Sequence, residues 1–304
     1  MTVAVVFPGQ GSFEPGCARA WHRHGGAEVI DAVSEHAGFD VAAASDAEDT
    51  GRRTALAQPV IFASSMAAWQ ALRARGVPAS IVAGHSLGEY GAATAAGVLA
   101  LEDGAAVVAE RGRATAEACR EHPGAMAAVL KLDQAVVADV VGRIDGLVVA
   151  NDNGPGQIVI AGPSGAIEAA REVVRSAGGR LIPLEVEGPF HSPAMASAVA
   201  AVRGVLGRVP AADPSIALVS GHAARLVRTA AEAVASLVEG IVNAVRWREV
   251  QLLLHEHGVT DLVEVGPGGV LAGIAKRSLE GVRIHVIRGP DDLDAVATAL
   301  GSAA

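Results

Sequence analysis

Gly84-His85-Ser86-Leu87-Gly88 is the segment most able to do chemistry. A serine with a glycine two positions to either side, directly after an apolar run and before a stretch of helical period, is the pattern of a nucleophile on a strand-to-helix turn. The turn is sharp enough that neighbouring side chains would collide, so glycines flank it. The hydroxyl then stands at the N-terminus of the next helix, where amide N–H groups and the helix dipole favour a developing oxyanion. Serine alone is a poor nucleophile and needs a base, and the chain carries ten histidines. His85 adjoins Ser86, but on such a turn adjacent side chains point apart. His191 lies in Gly188-Pro189-Phe190-His191-Ser192-Pro193, a loop between two regions of different texture, where binding residues gather. Residue type alone leaves the choice among the histidines open.

These groups need a scaffold, and the hydrophobic pattern supplies one. Residues 3–7 and 81–84 read as buried strands, the second ending in the serine turn, and 88–99 and 104–119 read as successive helices. That rhythm predicts an α/β fold with a parallel, doubly wound sheet. The middle of the chain differs. Strand-like runs at 125–131, 147–150, 157–161 and 180–186 enclose helical stretches at 134–143 and 165–177. This β-α-β-β-α-β order is that of a small ferredoxin-like unit. Residues 122–186 therefore read as an insert in a large domain made of 1–121 and 187–304. The last third returns to long helices, with short strands at 262–265 and 283–287.

The bulk numbers exclude several classes. With 304 residues, 51% of them hydrophobic and 3% aromatic, the chain can build an aliphatic core without disulfides or metal. A net charge of −9 with scattered Arg and only two Lys, Lys131 and Lys276, gives no surface for nucleic acid. Cys17 and Cys119 lack metal-ligand spacing and fit a reducing, cytoplasmic setting. The segment from Met1 to Phe7 has no basic leader and reads as a strand rather than a signal peptide. No apolar run reaches the ~18 residues of a membrane span.

Several motifs, spread in order through the chain, carry a resemblance. Phe7-Pro8-Gly9-Gln10-Gly11-Ser12, Gln58-Pro59, Gly84-His85-Ser86-Leu87-Gly88-Glu89-Tyr90, Arg111-Gly112-Arg113, Gly124-Ala125-Met126, Asn151-Asp152-Asn153-Gly154-Pro155-Gly156-Gln157, Phe190-His191-Ser192, Asn243-Ala244-Val245-Arg246-Trp247 and Glu264-Val265-Gly266-Pro267-Gly268 are similar to the malonyl-CoA:acyl carrier protein transacylase family, which includes the acyltransferase domains of modular polyketide synthases. The resemblance implies a hydrolase-like α/β domain with a parallel sheet and an inserted ferredoxin-like domain, the two framing a cleft. It makes Ser86 the acylated nucleophile and His191 its base, oriented by the backbone carbonyl of Gly240 in place of an aspartate. It gives the oxyanion to the N–H groups of Gln10 and Leu87, and the free carboxylate of malonyl to Arg111. Gln58, Met126 and Phe190 become substrate-binding residues; Phe190 before the histidine goes with malonyl, because its ring fills the space of an α-methyl.

The reaction so implied is a ping-pong transfer from coenzyme A to the phosphopantetheine thiol of an acyl carrier protein, with no bound cofactor and no metal, in a family that is usually monomeric. Acidic carrier proteins call for a basic patch, for which Arg171, Arg175, Arg180, Lys276 and Arg277 are candidates, although solvated surface charge is the plainer reading of any one of them. The chain departs from the family at Phe13, usually Gln; at Ala244, usually Pro; and at Gly188-Pro189, an unusual pair before Phe190. Asn151, Asn153 and Gln157 read equally as turn residues or substrate contacts, and Trp247 and the 264–268 turn as structural. Two alternatives stand beside this reading: an acyltransferase for another extender unit or a carrier-bound donor in polyketide synthesis, and a proofreading thioester hydrolase. A non-enzymatic carrier-binding module is disfavoured by the presence of Ser86, His191 and the glycine-rich loop.

Overall fold

The structure, a computed structural model, describes residues 1–301, so residues 302–304 of the expected 187–304 segment lie outside the described residues. The first part of the chain runs through β1 (Val3–Phe7), α1 (Cys17–Arg23), α2 (Ala27–Ala37), α3 (Val41–Ala44), α4 (Thr54–Ala74), β2 (Ile81–Gly84), α5 (Gly88–Ala95) and α6 (Leu101–Glu121). Then follow β3 (Ala125–Leu130), α7 (Gln134–Arg143), β4 (Val148–Asp152), β5 (Gln157–Gly162), α8 (Ser164–Ser176) and β6 (Arg180–Pro183). The remainder holds α9 (Ala196–Leu206), β7 (Ala217–Val219), β8 (Leu226–Val227), α10 (Ala230–Glu239), α11 (Trp247–Glu256), β9 (Asp261–Val265), α12 (Val270–Ser278), β10 (Arg283–Ile287) and α13 (Leu293–Ala299).

Six strands form one sheet in the order β10-β9-β1-β2-β7-β8, parallel except for the edge strand β8. All five residues of β1 are buried, because the sheet is covered on both faces. Val3, Val5, Phe7 and Val82 face a core with α2, α4 and α6, whereas Ala4, Val6, Ile81 and Ala83 face Trp247, Val250 and Leu254 of α11. The period of two along β1 and β2 thus splits the aliphatic core into two layers. In register, Phe7 lies opposite Gly84, so the loop after β1 and the serine turn after β2 leave the sheet side by side. Ligand crevices of open parallel sheets form at such carboxyl ends.

The other four strands make a fully antiparallel sheet in the order β4-β5-β3-β6. Ala127, Val129, Ile158 and Ile160 pack under α7 and α8, while Met126, Ala128 and Val159 point to the opposite face with Phe190. The α/β class and the ferredoxin-like order of the middle region agree with the sequence expectation.

Some boundaries differ, for physical reasons. α5 stops at Ala95 rather than at 99, because Gly97 takes a left-handed backbone (φ 79°) that turns the chain. The last strand of the small sheet ends at Pro183, which frees Leu184 and Val186 to line a cleft. Among the described residues, no helix is long and apolar enough to cross a membrane.

Candidate active site

Ser86 occupies the turn between β2 and α5 with φ 55°, a left-handed backbone that non-glycine residues seldom adopt. The flanking glycines are steric necessities: a Cβ on Gly84 would stand 2.0 Å from the Gly88 backbone, and one on Gly88 1.9 Å from the Phe7 carbonyl oxygen. β1, the turn and α5 are therefore in backbone contact, and Ser86 projects from their junction.

His191 meets it from the chain that returns from the small sheet. The Ser86 hydroxyl and His191 Nε2 are 2.7 Å apart. His191 Nδ1 faces two carbonyl oxygens, of Gly240 at 2.9 Å and of Asn243 at 3.0 Å. Carbonyls only accept, so Nδ1 carries the proton and Nε2 offers its lone pair to the serine. Burial, and then the nearby Arg111 guanidinium, push the imidazole down to about 3 against the pull of the two carbonyls. It is therefore neutral at ordinary pH, with the Nε2 lone pair free to accept the serine proton. Both carbonyls lie just past the C-terminus of α10, the negative end of that helix, which favours an imidazolium once formed.

Arg111, 6% exposed on α6, reaches the same point. Its Nη1 donates to Gln58 Oε1 at 2.6 Å and its Nη2 to Ser86 Oγ at 3.3 Å, while the guanidinium lies over the Tyr90 ring at 5.2 Å. Its Nε–H is buried without a partner among the described residues. Nε and Nη2 share one edge of the guanidinium, the edge that grips a carboxylate, and on it Nε is unpartnered while Nη2 makes only the long contact to Ser86. Gln58 is held in turn by donating to Thr54 and Thr115 at 2.8 and 3.1 Å, and Thr54 donates to Gln10 Oε1 at 2.8 Å. One hydrogen-bonded chain thus runs from the loop after β1 to the arginine. The backbone N–H groups of Gln10 and Leu87 have no protein acceptor among the described residues, and both residues line the cleft with Ser86.

The cleft has a volume of about 230 Å³ and is lined by Gln10, Gln58, Ser86, Leu87, Arg111 and His191 among the residues above. Met126, Ala128, Val159, Leu184, Val186 and Phe190 form its apolar wall on the small-sheet side, and Val270, Leu271 and Ile274 of α12 face them. Two of the three departures, Gly188-Pro189 and Phe13, are matched by close packing. A Cβ on Gly188 would stand 2.3 Å from Cys119 Sγ, so only glycine lets the Phe190 loop lie on α6. Gly51 likewise leaves room for Phe13, whose ring a Cβ there would meet at 2.7 Å, and its carbonyl accepts from Gln10 Nε2 at 3.0 Å. For Ala244 the structure offers no particular account.

Asn151, Asn153 and Gln157 all line the cleft, and Asn153 Oδ1 lies 2.8 Å from His85 Nε2. His85 lines the same cleft but is bonded to Asn153 rather than to Ser86, and lies edge-on to Trp247 at 5.5 Å. Sequence reasoning left Thr54, Thr115 and Tyr90 without a part; the i,i+4 spacings Thr54–Gln58 and Arg111–Thr115 were the available signal. The basic candidates separate. Arg171 and Arg175 sit on α8, behind the small sheet, paired with Glu168 and Glu172. Arg277, on the cleft-lining helix α12, instead donates to Gln157 Oε1 at 2.6 Å and to the Gly273 carbonyl, with Lys276 exposed beside it. Arg180 is exposed on β6.

An α/β sheet with a serine–histidine pair at its carboxyl edge defines a class, and residues 4–297 match the model of the acyl transferase domain; the chain belongs to that family. It is 41% identical over 303 residues to the malonyl CoA-acyl carrier protein transacylase of Mycobacterium tuberculosis, covering 97% of this chain and 99% of that protein. A crystal structure of MCAT from Mycobacterium tuberculosis superposes with a TM-score of 0.92 at 39% identity, covering 98% of this chain and all of that one (100%). A type II PKS acyl-carrier protein in complex with its malonyl-transacylase superposes with a TM-score of 0.93 at 30% identity, covering 98% and 100% of the two chains.

Proposed function

We propose that this acyltransferase moves malonyl from coenzyme A to the phosphopantetheine thiol of an acyl carrier protein through an acyl-Ser86 intermediate. The observation that carries the reading is the under-bonded Nε/Nη2 edge of Arg111 beside a serine hydroxyl 2.7 Å from a neutral imidazole. His191 takes the Ser86 proton as Oγ attacks the thioester carbonyl. The oxyanion lies on the N–H groups of Gln10 and Leu87, and the malonyl carboxylate on Arg111, which Gln58 holds in place. As the C–S bond breaks, His191 returns the proton to the departing coenzyme A thiolate. The carrier thiol then enters, gives its proton to His191, attacks the ester and leaves as malonyl thioester, and Ser86 recovers its proton. Thioesters are activated, so carbonyls at Gly240 and Asn243 suffice to orient the base. No step requires a bound cofactor.

Phe190 and Met126 form the wall against the α-carbon of the acyl group, which favours malonyl over its methylated homologue. The open arginine fork argues against a hydrolase for neutral acyl chains, because such chains would leave a buried cation unpaired. We take residues 122–186 as an insert that supplies this wall, within a large domain of 1–121 and 187–304, acting as a monomer in the cytoplasm. Of the basic candidates, Lys276 and Arg277 lie best for the carrier protein.

Intact-mass measurement after incubation with malonyl-, methylmalonyl- and acetyl-CoA together tests the reading. A malonyl adduct present in the parent, absent in Ser86→Ala and cleared by an acyl carrier protein is the expected result. A methylmalonyl adduct would refute the part given to Phe190, and release of free coenzyme A without any adduct would point to hydrolysis.

A further inference from the structure

The orienting carbonyl of Gly240 is only as well placed as the end of α10, and that end is gripped from behind by the residues that follow the serine turn. Tyr90 Oη donates to the Leu237 carbonyl at 2.7 Å. The Glu89 carboxyl, 6% exposed, lies under Gly240 itself: a Cβ there would stand 3.3 Å from Glu89 Oε1. Glu89 Oε2 accepts from the Gly221 N–H at 2.9 Å, and a Cβ on Gly221 would meet both Glu89 Oε1, at 2.9 Å, and the Gly84 carbonyl, at 2.7 Å. Ser236 then ties the same turn to α10 by donating to Ser220 Oγ at 2.6 Å, and the Gly240 N–H closes on the Ser236 carbonyl at 2.9 Å. Three segments therefore meet at one carboxyl: the nucleophile's own helix α5, the 220–222 turn after β7, and the last turn of α10.

We infer that Glu89, assisted by Tyr90, is a positioning residue that locks the base-holding end of α10 to the helix that carries Ser86. The inference rests on Ser86 and His191 acting as nucleophile and base. In a triad the orienting carboxylate would reach the imidazole directly. Here a carboxyl acts one layer back, on the backbone that presents Gly240 to Nδ1. Burying a carboxyl opposes folding unless it is well bonded, and burial pushes this one up to about 7 despite the Gly221 N–H and Arg111. It fills the space that Gly221 and Gly240 leave by having no side chain, which a Cβ would enter at 2.9 and 3.3 Å from Oε1. Misplacing a catalytic group by about 1 Å costs on the order of 10²-fold in rate.

The test compares the parent with Glu89→Gln, Glu89→Ala and Tyr90→Phe. Readouts are the rate of Ser86 labelling by a fluorophosphonate probe, which needs no acyl donor, and kcat and KM for malonyl loading from malonyl-CoA, with thermal melting as the check on fold. We expect Glu89→Ala to slow labelling and kcat by about tenfold or more, with KM changed by less than about threefold. Glu89→Gln keeps an oxygen for the Gly221 N–H and should recover to within about threefold of the parent. Tyr90→Phe keeps the ring beneath Arg111 and should lose about three- to tenfold. Labelling of Glu89→Ala at the parent rate overturns the inference, as does a Gln variant as slow as the Ala variant. Should Glu89→Ala fail to fold, Tyr90→Phe decides: unchanged labelling there refutes the tether. A parent that is labelled by the probe but never loads malonyl would refute the proposed substrate and leave this inference standing.

Discussion

Replacing Arg111 by methionine fills the buried volume but removes the fork beside Ser86. In the resting site Nη1 is satisfied by Gln58 at 2.6 Å, Nη2 makes only a long 3.3 Å contact to Ser86, and Nε has no partner among the described residues. An acyl carboxylate would take up Nε and Nη2 in two parallel bonds. A hydrogen bond to a charged group contributes about 1.5–3 kcal/mol, so losing two removes about 3–6 kcal/mol. At about 1.4 kcal/mol per tenfold, kcat/KM for malonyl-CoA should fall by about 10²- to 10⁴-fold. Acetyl-CoA has no carboxylate and should change by less than about tenfold, since only the long contact to Ser86 is lost. The assay is rapid-quench measurement of acyl-Ser86 by intact mass with each donor. A malonyl-to-acetyl ratio within about threefold of the parent's would refute the carboxylate argument, because among the described residues nothing else in the cleft carries an unpartnered buried cationic edge.

Three further outcomes follow from the geometry. His191 is held down to about 3, so it stays unprotonated until the pH falls through that value; malonyl loading should remain level from about pH 8 to 5, whereas an imidazole at its ordinary value would lose well over tenfold. Glu264 is fully buried, accepts from the Ala272 N–H at 2.7 Å at the start of α12, and is pushed by burial from 4.5 to about 7. A raised carboxyl stabilises the fold below its unfolded value and loses that stabilisation as pH rises through its folded one. The parent should therefore lose about 3 kcal/mol between pH 4.5 and 7 that Glu264→Gln does not lose, read from urea midpoints at several pH values. Finally, Gly188→Ala must open approaches of 2.3 Å to Cys119 Sγ and 2.9 Å to Cys119 Cβ and so displace Phe190; malonyl preference over methylmalonyl should fall, and adding Cys119→Gly, which removes both atoms, should restore it, measured by competitive loading.

Much of this was legible because it is written in short-range pattern. The runs at 3–7, 81–84 and 283–287 coincide with β1, β2 and β10, since buried parallel strands read as continuous apolar segments. The serine turn was equally legible, as its glycines are forced by contacts within a few residues and with the adjoining strand. α4 was not. Its residues are buried nearly all round, so no amphipathic stripe marks it, and Pro59 within it reads as a break. The pairs that set the site, Ser86–His191 and Gly240–His191, lie 105 and 49 residues apart. Periodicity carries no signal over such distances, and only the resemblance of the Phe190-His191-Ser192 segment singled out this histidine. Glu89 and Tyr90 stand in the serine motif with no purpose visible from sequence, because their partners at Gly221 and Leu237 come from a part of the chain whose short strands β7 and β8 leave no pattern.

The central place of β1 bears on how the protein is made. It pairs with β2 on one side and with β9 on the other, and Thr2 bonds to Thr260 across 258 residues of chain. During vectorial synthesis the middle strand of the sheet emerges first and waits for a neighbour made almost at the end. The small antiparallel sheet, contiguous from β3 to β6, has all its partners within reach and can close while the ribosome is still working. Contacts of long sequence separation form slowly, so β1, apolar on both faces, passes through most of translation with the hydrogen-bonding edge that β9 will take still unpaired.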